Sequence, residues 1–139
     1  MIKDLVLDEA VLSTPCEPAT AEDAPVAQDL IDTLASIDDA ACLAANQIGV
    51  TKAVCVYQDE KDRVHVMYNP KIMMALGGGK VYESCLTHEE PVHVTRFAKI
   101  KVSYDELVDG ELKTRRRDFT GWVAQMIQHM VDHCQGKYV

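Results

Sequence analysis

The chain has 139 residues, of which 47% are hydrophobic and 26% charged, with a formal net charge of −8. These proportions suit one globular domain over residues 1–139 and exclude disordered, collagen-like and coiled-coil chains. No apolar run approaches the roughly 18 residues that span a bilayer, so no membrane partner is expected. The first residues, MIKDLVLDEA, lack the cationic start and apolar stretch of a secretory signal.

The acidity is concentrated at one end. Residues 1–39 carry one lysine and ten acids, whereas residues 40–139 carry thirteen basic and twelve acidic side chains. A nucleic-acid site is not expected, because phosphate contacts need a basic face. The one basic run, Arg115-Arg116-Arg117, reads as a polar strand edge. Five cysteines at irregular spacing, with no export signal, predict reduced thiols and a cytoplasmic location.

In chain order, residues 13–25 read as a Pro- and Ala-rich loop. Val26, Leu30, Leu34 and Ile37 recur at helical spacing and predict an amphipathic helix over 25–38. Residues 53–57 and 64–68 read as a hairpin, with Asn69-Pro70 ending its second strand. Gly77-Gly78-Gly79 reads as a tight or mobile connection. Val92–Thr95 and Ile100–Tyr104 read as separate strands, and Asp109-Gly110 as a hairpin turn into 111–117. A last helix over 119–135 has Asp118 or Thr120 as cap and ends at Gly136. The sum is an α+β domain.

Chemistry concentrates in three segments. His129 and His133 are four residues apart, so both project from one helix face and can reach one metal ion. Alone, the pair also suits a partly exposed polar face. Asp132 between them is a candidate acceptor for a ligand histidine's second nitrogen. Cys85, in Glu83-Ser84-Cys85-Leu86-Thr87, is a candidate third ligand, although by itself it reads equally as a packed cysteine. The small residues of Cys42–Gly49 suit close approach of a ligand, or a tightly packed loop, and Gln47 offers an amide to a carbonyl oxygen.

Taken together, the three segments resemble the motifs of the peptide deformylases: Gly-x-Gly-Leu-Ala-Ala-x-Gln, Glu-Gly-Cys-Leu-Ser and Gln-His-Glu-x-Asp-His. Here they read Ala40–Gln47, Glu83–Thr87 and Gln128–His133, in the same order. Ile48-Gly49-Val50, Tyr68-Asn69-Pro70 and Arg96 also fit. The resemblance implies antiparallel β-sheet around a C-terminal helix that carries the metal-binding histidines. It implies Cys85, His129 and His133 as ligands of one divalent ion, iron or else zinc, nickel or cobalt. Gln47 and the Leu86 N–H match the donors that hold a formyl oxygen, Glu83 the carboxylate paired with Arg96, and Asp132 a supporting aspartate. Cys42 and Leu43 fall on the substrate side. The implied reaction is hydrolysis of the N-formyl group on the initiator methionine of nascent peptides. The implied partner is an N-formylated peptide, ribosome-associated nascent chains included, or a similar small ligand.

Four positions depart from the motifs. Met130 stands where the family keeps the glutamate that moves the proton, and methionine transfers none. Ala40 and Cys42 replace the two glycines of the first motif, and Ser84 replaces that of the second. Two readings follow: a divergent deformylase with low activity or another proton carrier, Glu89 and Glu90 being the nearest candidates in sequence, and a metal-binding pseudoenzyme that holds a formylated or other small ligand without turnover.

Overall fold

The computed structural model describes residues 1–139. Two short elements lie before the sheet and one helix after it: α1 (Glu9–Leu12), α2 (Ala24–Ala35) and α3 (Gly121–Cys134). The sheet is antiparallel, with β1 (Cys42–Ala44), β2 (Val54–Gln58), β3 (Val64–Cys85), β4 (His88–Val108) and β5 (Glu111–Thr120) in sequence order. No helix is long and apolar enough to cross a membrane.

Strand alternation sorts the core. Val54 and Val56 face α2 and pack with Leu30, Leu34 and Leu43. Their neighbours Cys55 and Tyr57 face α3 and pack with Ala124, Ile127, Met130 and Val131. The α+β expectation and the antiparallel sheet around a C-terminal helix both hold.

Several local expectations are corrected. The helix expected over 25–38 ends three residues earlier, at Ala35. The expected loop 13–25 contains a short 3-10 turn, Ala21–Asp23, and the start of α2. Asn69-Pro70 does not end a strand. Asn69 adopts φ 53° and a register shift between Tyr68 and Lys71 absorbs it, so β3 continues to Cys85. The bulge is held by the Asn69 side chain, which accepts from the Ala19 N–H at 2.8 Å and donates to the Ala19 carbonyl and to Asp105, each at 3.0 Å.

The glycine run is not a connection either. Gly78 pairs with Phe97 and Gly79 with Arg96 across the β3–β4 ladder. A Cβ on Gly78 would lie 3.0 Å from the Phe97 ring, so the glycine makes room for the aromatic. The segments 92–95 and 100–104 are two parts of one strand, β4. The Asp109-Gly110 turn is confirmed: both residues have positive φ, 52° and 81°, as a two-residue type I′ hairpin requires.

α3 spans 121–134, with Thr120 as its N-cap residue, although the Thr120 side chain makes no capping hydrogen bond. Ten of its fourteen residues are buried, so packing rather than capping stabilises it. It stops at Gly136, φ 78°, where a Cβ would sit 2.6 Å from the Pro15 nitrogen.

Candidate metal centre

β3 ends at Cys85 and reverses through Leu86-Thr87 into β4, pairing Cys85 with His88. This tight hairpin pins the sulfur beside the buried face of α3. His129 and His133, one helical turn apart, present their Nε2 atoms 3.0 Å from each other, and Cys85 Sγ lies 3.5 Å from His133 Nε2. The three donor atoms all fall within 4.8 Å of one another.

The spacing fits a metal ion. Bonds of about 2.0 Å to nitrogen and 2.3 Å to sulfur give a tetrahedron with edges of about 3.3 and 3.5 Å. The donor chemistry fits as well. Glu83 Oε1 lies 2.9 Å from His129 Nδ1. With an ion bound, that contact would keep the ring proton on Nδ1 and leave the Nε2 lone pair for the ion. Burial pushes the Cys85 thiol up, but hydrogen bonds from His129 and His133 outweigh it and hold its pKa at about 5. The thiolate that a metal needs is therefore the form present at neutral pH. Burial pulls His129 down, while Cys85 and Glu83 raise it to about 9.

A layer of polar side chains braces these three donors. Arg96 grips Glu83 with two hydrogen bonds, Nε to Oε2 at 2.9 Å and Nη2 to Oε1 at 2.8 Å. Its Nη1 reaches Asp132 at 2.7 Å. Burial raises the Glu83 carboxyl, but His129, Arg96 and Gln125 outweigh it and bring its pKa down to about 2. Asp132 thus serves Arg96; the acceptor at His129 Nδ1 is Glu83, which corrects the expectation placed on Asp132. The Glu83–Arg96 pairing is as expected.

Gln47 sits in the 3-10 turn Ala45–Ile48 after β1. Its Oε1 accepts from the Ala44 N–H at 2.9 Å, which aims Nε2 at Thr87 Oγ1, 3.0 Å away, and at Cys85 Sγ, 3.3 Å away. The Leu86 N–H makes no hydrogen bond within the chain. Two supporting residues were given no role by the sequence reading. Gln125 donates to Glu83 at 3.0 Å, and its position four residues before His129 on the same helix face was a usable signal. Thr87, only 2% exposed, had none beyond its place in the cysteine segment.

Gln47, Glu83, Cys85, Leu86, Gln125 and His129 border a cavity of about 460 Å³, lined also by Cys42, Tyr82, Trp122, Met126 and Met130. Leu43 does not border it: its side chain is fully buried on the α2 side of the sheet. Cys42 does, and burial together with Cys85 and Glu83 pushes its thiol up to about 12, so it faces the centre uncharged. Glu89 and Glu90 are exposed on β4 and do not line the cavity.

The family model described as polypeptide deformylase matches residues 3–139. The chain is a member of the peptide deformylase family. It is 36% identical to the peptide deformylase of Clostridium beijerinckii over 137 residues, which cover 98% of each chain. Its fold matches the crystal structure of a peptide deformylase from Legionella pneumophila with a TM-score of 0.84 and 27% identity, covering 99% of this chain and 83% of that one. A class I type b peptide deformylase from Acinetobacter baumannii, bound to Met-Ala-Ser, shares the fold with a TM-score of 0.84 at 22% identity, covering 99% of this chain and 96% of that one. Peptide deformylases depend on a metal, and in this member Cys85, His129 and His133 are the cluster able to hold one.

Proposed function

We propose that this deformylase binds one divalent ion through Cys85, His129 and His133 and removes the formyl group from N-formyl-methionyl peptides, nascent chains among them, at a low rate. The observation that carries the reading is the clustering of these three donors beside one cavity, lined by Cys85, His129, Gln47 and Leu86 with its free N–H, that is large enough for a methionyl residue. The sulfur–nitrogen set suits iron, zinc, nickel or cobalt rather than calcium or magnesium, which take oxygen ligands. When bound, such an ion supplies Lewis-acid activation of the formyl carbonyl and of water.

The chain's own groups divide the remaining work. The Leu86 N–H donates to the formyl oxygen, joined by Gln47 when Nε2 turns from Thr87. Glu83, clamped by Arg96, holds His129 in the tautomer whose Nε2 is free. Trp122, Met126 and Met130 make an apolar wall against the methionine side chain and keep bulk water away from it.

The low rate follows from Met130, which is 1% exposed at the place where the family keeps its glutamate. The lone pairs of Glu83 are committed to Arg96, Gln125 and His129, and Asp39, the other carboxylate lining the cavity, is exposed to solvent. No carboxylate with a free oxygen therefore stands beside the ligands, and the same observation favours a second reading, binding without turnover. Metal content and formate release from formyl-Met-Ala-Ser, measured on the purified protein, test both readings. Slow formate release above the buffer rate supports hydrolysis. Saturable binding of the peptide with no formate leaves the pseudoenzyme reading, and absence of both metal and peptide binding overturns both.

A further inference from the structure

We infer that Asn46 is a positioning residue for His133, holding the imidazole ring through one buried water shared between Asn46 Oδ1 and His133 Nδ1. This rests on the metal-binding reading above and adds a support for His133 that the reading does not contain.

Two of the three donors in the cluster have a side-chain brace. Glu83 Oε1 meets His129 Nδ1 at 2.9 Å, and Gln47 Nε2 reaches Cys85 Sγ at 3.3 Å. His133 is fully buried, and its Nδ1 has no hydrogen-bond partner within the chain. With Nε2 on an ion, Nδ1 carries the ring proton and is a donor. A histidine that holds a metal almost always gives that proton to an acceptor.

One other buried side-chain atom is equally unpartnered, and it is Asn46 Oδ1. Asn46 is fully buried in the 3-10 turn Ala45–Ile48, beside Gln47. Its Nδ2 donates to the His133 carbonyl at 2.9 Å, so the two residues already touch. That bond also fixes the direction of the amide, because a flip would set Oδ1 against the carbonyl oxygen. Oδ1 is therefore an acceptor, and Nδ1–H is the donor that complements it. A water between them accepts from Nδ1–H and donates to Oδ1, which satisfies both atoms. Buried polar atoms rarely go without a partner. The His133 carbonyl has a second donor, the Gly136 N–H at 3.0 Å, so the backbone can dispense with Asn46. The ring nitrogen has no such substitute.

Zinc-loaded protein carrying isotope-labelled histidine tests this, because zinc is diamagnetic. In the parent, nitrogen–proton correlation spectra should show two exchange-protected Nδ1–H groups, from His129 and His133. Asn46→Leu is close in volume but offers no polar atom, whereas Asn46→Ala leaves room for further water to reach Nδ1. Zinc affinity, measured by competition with a chelator, should fall about tenfold or more in Asn46→Leu, the usual cost of losing the support behind a metal-bound histidine. It should fall less in Asn46→Ala, although alanine leaves the larger cavity. The His133 signal should move in Asn46→Ala while that of His129 stays. Parental zinc affinity in both variants, or a larger loss for alanine than for leucine, overturns the role of Asn46 and leaves the metal site intact. So does a single protected Nδ1–H in the zinc-loaded parent, a readout that needs no variant to fold. A parent that binds no zinc overturns both this inference and the reading beneath it.

Discussion

Glu83 and His129, forty-six residues apart in sequence, meet at 2.9 Å across the interface between β3 and α3. The contact orients His129, and Arg96 holds the carboxylate in place from the opposite side. Glu83→Gln keeps the shape but loses the charge that secures the Nδ1 proton. We expect metal affinity to fall about 10–100-fold, the usual cost of losing a hydrogen-bonded support behind a ligand. Competition with a chelator of known affinity measures it, and an unchanged affinity would show that Glu83 does not hold the ligand.

Arg96 carries a heavier structural burden. Its side chain is 8% exposed and joins Glu83 to Asp132. Arg96→Ala strands two carboxylates in a largely buried position, so a loss of about 3–5 kcal/mol is expected. Denaturant unfolding should show the midpoint falling accordingly. A midpoint within experimental error of the parent would mean that solvent relieves both acids.

Cys85 is the one sulfur donor of the three-residue cluster. Cys85→Ser replaces a thiolate held near pH 5 by an alcohol that stays protonated. Elemental analysis should find roughly one divalent ion per chain in the parent and little in the variant. Full retention would remove the cysteine from the ligand set.

Met130 is the sharpest point of difference within the site. It lines the cavity one residue after His129 and is 1% exposed. Met130→Glu places a carboxylate there, and a positioned acid–base group is typically worth about 10²–10⁴ in rate. Formate release should rise by at least the lower figure. No gain with metal still bound would shift the obstruction to Cys42, whose thiol occupies the cavity wall where the motif has glycine. A parent already as fast as the variant would show that another group moves the proton.

Gly136 tests the end of α3. A methyl group there meets the Pro15 nitrogen at 2.6 Å and the Thr14 carbonyl carbon at 2.8 Å, at φ 78°. Gly136→Ala should therefore destabilise by more than the roughly 1 kcal/mol of the backbone conformation alone. A fall in thermal midpoint measures it, and an unchanged midpoint would mean that the 14–15 segment yields freely.

What the sequence alone determined are the features set by short spacing. Two histidines four apart on an apolar helix must share a face, whatever packs against it. Asp109-Gly110 supplies the positive φ angles of a two-residue hairpin without outside help. The order of the three motifs was likewise sufficient for the family and for the set Cys85, His129 and His133. Tertiary structure decided the rest, because those outcomes depend on partners distant in the chain. Asn69-Pro70 looks like a strand end locally, but hydrogen bonds to Ala19 and Asp105 hold a bulge and the ladder continues. The glycine run looks like a break until Phe97 lies over it. Asp132 is nearest to the histidines in sequence, yet helix geometry points it at Arg96 and leaves His129 to a carboxylate on β3. Glu89 and Glu90 are close to Cys85 in sequence, but the tight turn carries them onto β4 and into solvent. Local sequence specifies backbone preference and side-chain chemistry; which groups meet is a property of strand register and helix docking, where pairing energy exceeds local propensity.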